Sequence, residues 1–105
     1  MTTKSALEIL NQSFEMEKKI KDSTLEKSLQ RNINRIKSAL EAGGYRCHNP
    51  LGEKYSLTRL DVEAMVSGES ADNLYIVEVI KPIIYFNGEN GNVIAQKGVV
   101  ITESR

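Results

Sequence analysis

From Ser5 to Leu40 the apolar side chains recur at helical spacing, and from Tyr75 onward they gather in short β-branched runs. Leu7, Leu10 and Phe14 fall on one face of a first helix, and Met16 and Ile20 continue an adjoining stripe. Ser5-Ala6-Leu7-Glu8 has the form of a capping box and predicts where that helix starts. A second Ser-x-x-Glu, Ser23-Thr24-Leu25-Glu26, follows the polar run Lys18-Lys19-Ile20-Lys21-Asp22, which predicts a break near Asp22. Beyond it Leu25, Leu29, Ile33, Ile36 and Leu40 follow one another at intervals of four, four, three and four residues, a single stripe on one helix. Gly43-Gly44 ends that helix, because glycine readily takes the left-handed conformation of a C-terminal cap. Two covers for the stripe are open. Two such hairpins from two chains would close a four-helix bundle, or both helices would lie on the β part of their own chain.

The rest of the chain predicts short strands and turns. Tyr75-Ile76-Val77-Glu78-Val79-Ile80 is rich in β-branched residues, and Ile83-Ile84-Tyr85-Phe86 continues after Pro82, which cannot donate to a ladder and marks a bulge, kink or edge. Asn87-Gly88-Glu89-Asn90-Gly91-Asn92 is a hairpin turn, and Lys97-Gly98 is a turn or bulge between Val93-Ile94-Ala95-Gln96 and Val99-Val100-Ile101-Thr102. Leu57 to Val66 reads as a half-buried strand, in which Leu60, Val62, Ala64 and Val66 alternate with Asp61, Glu63 and Met65. The fold class that follows is α+β: an N-terminal helical hairpin or long interrupted helix over residues 1–44, which associates, then a small, mostly antiparallel β domain over 45–105, which presents a partner-binding surface.

At 105 residues the chain has room for one modest core and little for a large enclosed active site. Its 14 basic and 14 acidic residues balance, so no global positive field favours nucleic acid. Lys27, Arg31, Arg35 and Lys37 do line one helical flank, but they read as the solvated border of an apolar stripe. No apolar run approaches the roughly 20 residues that cross a bilayer, so no membrane role is expected, and a cytoplasmic location fits best. One cysteine, Cys47, fits a reducing compartment.

Candidate chemistry is sparse. Cys47-His48 is the sole pair of soft ligand types, and neighbours on an extended chain point to opposite faces, so neither a zinc set nor a Cys-His nucleophile is expected. Asp61 and Glu63 lie two apart and would share a strand face, the one arrangement resembling paired carboxylates or cation ligands. Gly88-Glu89-Asn90-Gly91 is turn chemistry rather than a phosphate loop, since no Lys-Ser/Thr follows it. The expectation is a non-enzymatic protein with no metal and no cofactor.

The local text then resembles one family. Leu29 to Tyr45, ending in Gly43-Gly44, is similar to a last bundle helix and its glycine exit; Pro50-Leu51-Gly52-Glu53-Lys54-Tyr55 is similar to a Pro-x-Gly-Glu-x-Phe segment; Glu63-Ala64 is similar to a Glu-Ala pair; and Ile76-Val77-Glu78-Val79-Ile80 through Val99-Val100-Ile101 is similar to a final hairpin. Together they resemble the C-terminal portion of GrpE, the nucleotide exchange factor of the bacterial Hsp70 chaperone. The chain departs from the family at Val62, where the family has histidine, at Pro82-Ile83-Ile84, where it has Lys-Gly-Tyr, and around Gln96-Lys97, where it has Arg-Pro. The resemblance implies a homodimer built on Leu25, Leu29, Ile33, Ile36 and Leu40, an Hsp70-type ATPase domain as partner, and promotion of ADP release. Contact residues are then expected on the β domain: Arg59, Asp61 and Glu63, with Asn90, Asn92 and Val100 by analogy. The other reading of the same scaffold is an interaction or adaptor module that does not act on Hsp70.

Overall fold

The computed structural model describes residues 2–105. Helices come first, α1 (Thr3–Ile20) and α2 (Glu26–Ala42), followed by β1 (Tyr45–His48), β2 (Val62–Val66), β3 (Leu74–Lys81), β4 (Ile83–Gly88), β5 (Gly91–Gln96) and β6 (Gly98–Ser104). The expected α+β class is what the molecule adopts.

The helix break falls where polar residues crowd, with Asp22 in the left-handed region at φ 64°. The start of α1 lies one turn earlier than the Ser5 box predicts: Thr2 is the cap, and its hydroxyl accepts from the Ser5 backbone N–H at 3.1 Å. The second box does not form: α2 is capped at Leu25 without a side-chain bond, and Glu26 accepts instead from the Asp22 N–H. At the other end Gly44 takes φ 98° while its N–H and that of Gly43 satisfy the carbonyls of Glu41 and Leu40. A Cβ on Gly44 would stand 3.0 Å from the Asn87 carbonyl and 3.1 Å from the Phe86 ring, so this exit needs glycine for both reasons.

The strands make two three-stranded sheets, ordered β1-β4-β5 and β2-β6-β3. Pairings are antiparallel except β2 with β6, which is parallel. Pro82, buried between β3 and β4, is the corner at which the chain leaves one sheet for the other. Lys97-Gly98 makes a second such corner rather than a hairpin turn, since β5 and β6 belong to different sheets. Glu89 and Asn90 close the β4–β5 hairpin between the paired Gly88 and Gly91. The Gly52–Tyr55 segment binds the outer edge of β3 through Gly52 N–H to Ile76 O, Ile76 N–H to Glu53 O and Tyr55 N–H to Leu74 O, all 2.9 Å. That edge is thereby covered, and β2 is left as the free edge of its sheet.

Two cores result. Between the sheets, Val62, Ile76, Val79, Ile83 and Val100 are joined by Phe14 of α1, with Tyr55, Ala64 and Tyr85 against them. Between the helices and the first sheet, Ala6, Leu10, Leu40, Tyr45 and Ile84 pack together with Ile36 and Phe86 at the margin. Alternation along β4 divides the work, Ile83 facing one core and Ile84 the other. Polar ties hold α1 in place: Asn11 and Gln96 exchange amide hydrogen bonds at 2.8 and 2.9 Å, and Lys18 donates to the Val79 carbonyl at 3.0 Å. The molecule is a plate, 42 × 41 × 17 Å in its Cα extents, with a radius of gyration of 15.0 Å against about 13 Å for a rounded chain of this length.

Candidate partner-binding site

The strand expected from Leu57 to Val66 begins only at Val62, and the segment before it carries the polar constellation of the molecule. Lys54 to Asp61 crosses from the β3 edge to the β2 edge, and Arg59 fastens that crossing. Its Nε and Nη2 donate to the two carboxylate oxygens of Asp61, both at 2.9 Å, its Nη1 donates to the Lys54 carbonyl at 3.1 Å, and Glu53 lies 3.2 Å away. Such two-pronged pairing is what the planar guanidinium favours. Glu53 also meets His48 Nε2 at 2.6 Å, and the Tyr85 hydroxyl donates to Asp61 at 3.5 Å. Arg46 lies over the Tyr85 ring, 4.7 Å from its centre. Arg46 in turn lines a cleft of about 260 Å³ with Glu41, Gly44, Asn87 and Asn92.

A continuous polar strip therefore runs from His48 and Glu53 through Arg59, Asp61, Tyr85 and Arg46 to Asn92. The hydrogen bonds and charge of Arg59 hold the Asp61 carboxyl below the usual carboxylate range, while Asp61 raises the Arg59 guanidinium. The Tyr85 hydroxyl is raised, first by burial and then by the Asp61 charge.

The expected contact residues divide among three places. Arg59, Asp61 and Asn92 lie on this strip, with Asn90 at the adjoining hairpin tip. Glu63 stands exposed on the outward side of β2. Val100 is a correction: it is wholly buried between the sheets, because its place in central strand β6 turns it inward, and it cannot touch a partner. Arg59 and Asp61 are also committed to each other, at 20% and 23% side-chain exposure, so they stiffen the strip more than they project from it. The shared face imagined for Asp61 and Glu63 is not formed, since Asp61 precedes the strand and turns to Arg59 and Tyr85. Glu53, Tyr85 and Arg46 were not expected as contact residues from the sequence, and His48 was weighed there only as a ligand or nucleophile partner, although alternation along β1 puts Arg46 and His48 on one face.

The helical stripe divides as well. Ile33 and Leu40 are buried at 2% and 5% exposure, Leu40 inside the helix–sheet core, and Ile36 packs at its margin. For Leu40 burial against the sheet of its own chain replaces the expected intermolecular one, while Ile33 is buried beside the groove between the two helices. Leu25 and Leu29 remain exposed at 58% and 38%. Leu29 borders an apolar groove of about 350 Å³ between the helices, with Met16, Ile20, Ile33 and Ile36.

Cys47 faces the helix side of β1 and His48 the other, as adjacent strand residues do, and burial raises the Cys47 thiol, which disfavours its thiolate. Among the described residues no three His, Cys, Asp or Glu side chains converge as metal ligands, and no helix is long and apolar enough to cross a membrane. No family model, curated protein or solved structure matches the chain.

Proposed function

We propose that this chain is a GrpE-like cochaperone that binds the ATPase domain of an Hsp70-type chaperone and promotes ADP release, pairing with a second copy of itself through its helices. The supporting observation is the coincidence of architecture with the residues that carry the resemblance. Gly43-Gly44 is the helix exit, Pro50 to Tyr55 leads into the edge segment on β3, and Glu63-Ala64 lies in β2, all following a helical hairpin. The apolar groove beside Leu29 supports self-association, and the strip from Arg59 to Asn92 supports a partner contact on the β part.

Such a factor performs no covalent chemistry. It binds the open, nucleotide-free conformation of the ATPase domain more tightly than the closed one, and reciprocity then weakens nucleotide binding by the same factor. A preorganised strip suits this task, since a rigid surface can discriminate between two domain openings where a loose one would follow both. The linkage supplies the test. A complex with a nucleotide-free Hsp70 ATPase domain should form in size-exclusion chromatography with light scattering and dissolve on addition of ADP. A complex indifferent to nucleotide would instead favour the adaptor reading, and no complex would remove Hsp70 as the partner.

A further inference from the structure

We propose that the free edge of β2 takes up an extended segment of a partner protein as an added strand. The sheet β2-β6-β3 has two edges, and the chain itself covers the far one. Residues 52–55 lie along β3 as a short antiparallel stretch, bridged at Lys54 and Tyr75 and tied by three backbone bonds of 2.9 Å. Among the described residues nothing comparable lies along β2.

The ladder shows which groups β2 leaves open. It pairs with β6 in parallel from Val62 to Val66 without a shift, bracketed by Gly98 N–H to Asp61 O at 2.9 Å and Ser67 N–H to Thr102 O at 2.8 Å. The Thr102 hydroxyl also donates to the Met65 carbonyl, at 3.3 Å. Backbone groups alternate between the two sides of a strand, so Glu63 and Met65 serve β6 while Ala64 and Val66 direct theirs to the open side. Val62 shares that orientation but is buried, which leaves Ala64 and Val66 as the accessible donors and acceptors. No turn, loop or side-chain hydrogen bond among the described residues reaches them.

Open edges are ordinarily blunted by proline, by lysine or by a bulge. β5, an edge of the other sheet, carries such a bulge, with Ala95 as the extra residue. β2 has none of the three, its single charge is Glu63, and apolar side chains stand exposed on it and just before it: Leu60 at 75%, Met65 at 52% and Val66 at 47%. Unpaired groups at strand spacing select an extended backbone, which a helix, bonded within itself, does not offer. The side of the added strand that continues the row of Val62, Ala64 and Val66 lies along the margin of the core between the sheets, so its alternate residues are apolar. A second copy is not the occupant, because the copies meet through their helices in the proposed assembly, and a second two-fold interface would string them into an open chain.

This inference rests on reading the β part as the partner-facing half, and its test needs no chaperone, so it can fail while the exchange reading stands, and the reverse. In the full chain labelled with nitrogen-15, the Ala64 and Val66 amides should exchange with solvent at least about tenfold faster than those of Glu63 and Met65. A capped peptide of alternating valine and threonine, with lysine at each end, is then titrated in. The expected result is saturable binding, with shifts centred on β2 and slowed exchange at Ala64 and Val66. The same peptide methylated at its backbone nitrogens should not bind. Ala64→Pro, which removes an outward donor and no bond to β6, should weaken binding at least about tenfold while the amides of β3 and β4 stay in place. No binding, equal binding of the methylated peptide or by the proline variant, or shifts centred on the helices would overturn the proposal. So would slow exchange of Ala64 and Val66 in the free chain, or protection that grows with protein concentration, which would assign the edge to a second copy.

Discussion

Replacing Arg59 with alanine removes the two bonds to Asp61, the bond to the Lys54 carbonyl and the contact with Glu53 at once. Exposed ion pairs contribute roughly 0.2–1 kcal/mol, and breaking a fully buried one costs roughly 3–5. With both side chains about four-fifths covered and the pairing two-pronged, the expected loss lies between, about 2 kcal/mol for Arg59→Ala and about 1–2 for Asp61→Ala. In a double-mutant cycle the coupling should be about 1 kcal/mol, since Arg59 keeps Glu53 and the Lys54 carbonyl when Asp61 is removed. Urea denaturation followed by circular dichroism measures all four corners.

The pH dependence carries a fixed sign. Asp61 titrates below its ordinary value of 3.8 in the folded chain, so near that pH the unfolded state binds more protons. The pair's contribution is complete above pH 3.8 and is lost as the pH falls through the lowered folded value. Asp61→Asn should therefore be less stable than the parent at pH 7 and approach it in acid. A coupling near zero, or a difference that grows in acid, would refute the staple and with it the rigidity of the strip.

Gly44→Ala should destabilise by about 2 kcal/mol in thermal melts, since it forces a side chain into the left-handed region and against the Asn87 carbonyl. Leu40→Ala should cost about 2–4 kcal/mol at any protein concentration, because Leu40 belongs to the core of a single chain. Leu29→Asp should instead lower the molar mass in sedimentation while leaving the circular dichroism spectrum intact, and an unchanged mass would exclude the groove as the self-association surface. Cys47 should react with a thiol reagent at pH 7 more slowly in the folded chain than in urea, as its raised thiol and partial burial require; equal rates would count against that placement.

Much of the architecture was legible from local chemistry. The polar run before Asp22, the glycine pair at 43–44 and the Asn-Gly cluster after Phe86 each act within a few residues, so the helix break, the helix exit and the hairpin could be read from composition and spacing. What burial a stripe serves could not. Leu25 and Leu40 share one helical face, yet Leu40 meets Ile84 and Leu25 meets solvent, because the sheet reaches under only one end of α2. Pairings between distant segments were hidden too: β6 lies between β2 and β3, which buries Val100, and only a three-dimensional neighbour could reveal that. The candidate site was half visible. Arg59 and Asp61 stood out as charges among apolar neighbours, whereas Glu53 and Tyr85 complete the strip from elsewhere in the chain and carry no periodic signal.

Partner contact through this scaffold is proposed to open a nucleotide site on another protein. Its most direct test is the rate at which a fluorescent ADP analogue leaves the Hsp70 of the same organism, followed by stopped flow with and without this protein. Release should accelerate by orders of magnitude, saturating with concentration. An unchanged release rate in the presence of folded, self-associated protein would contradict it.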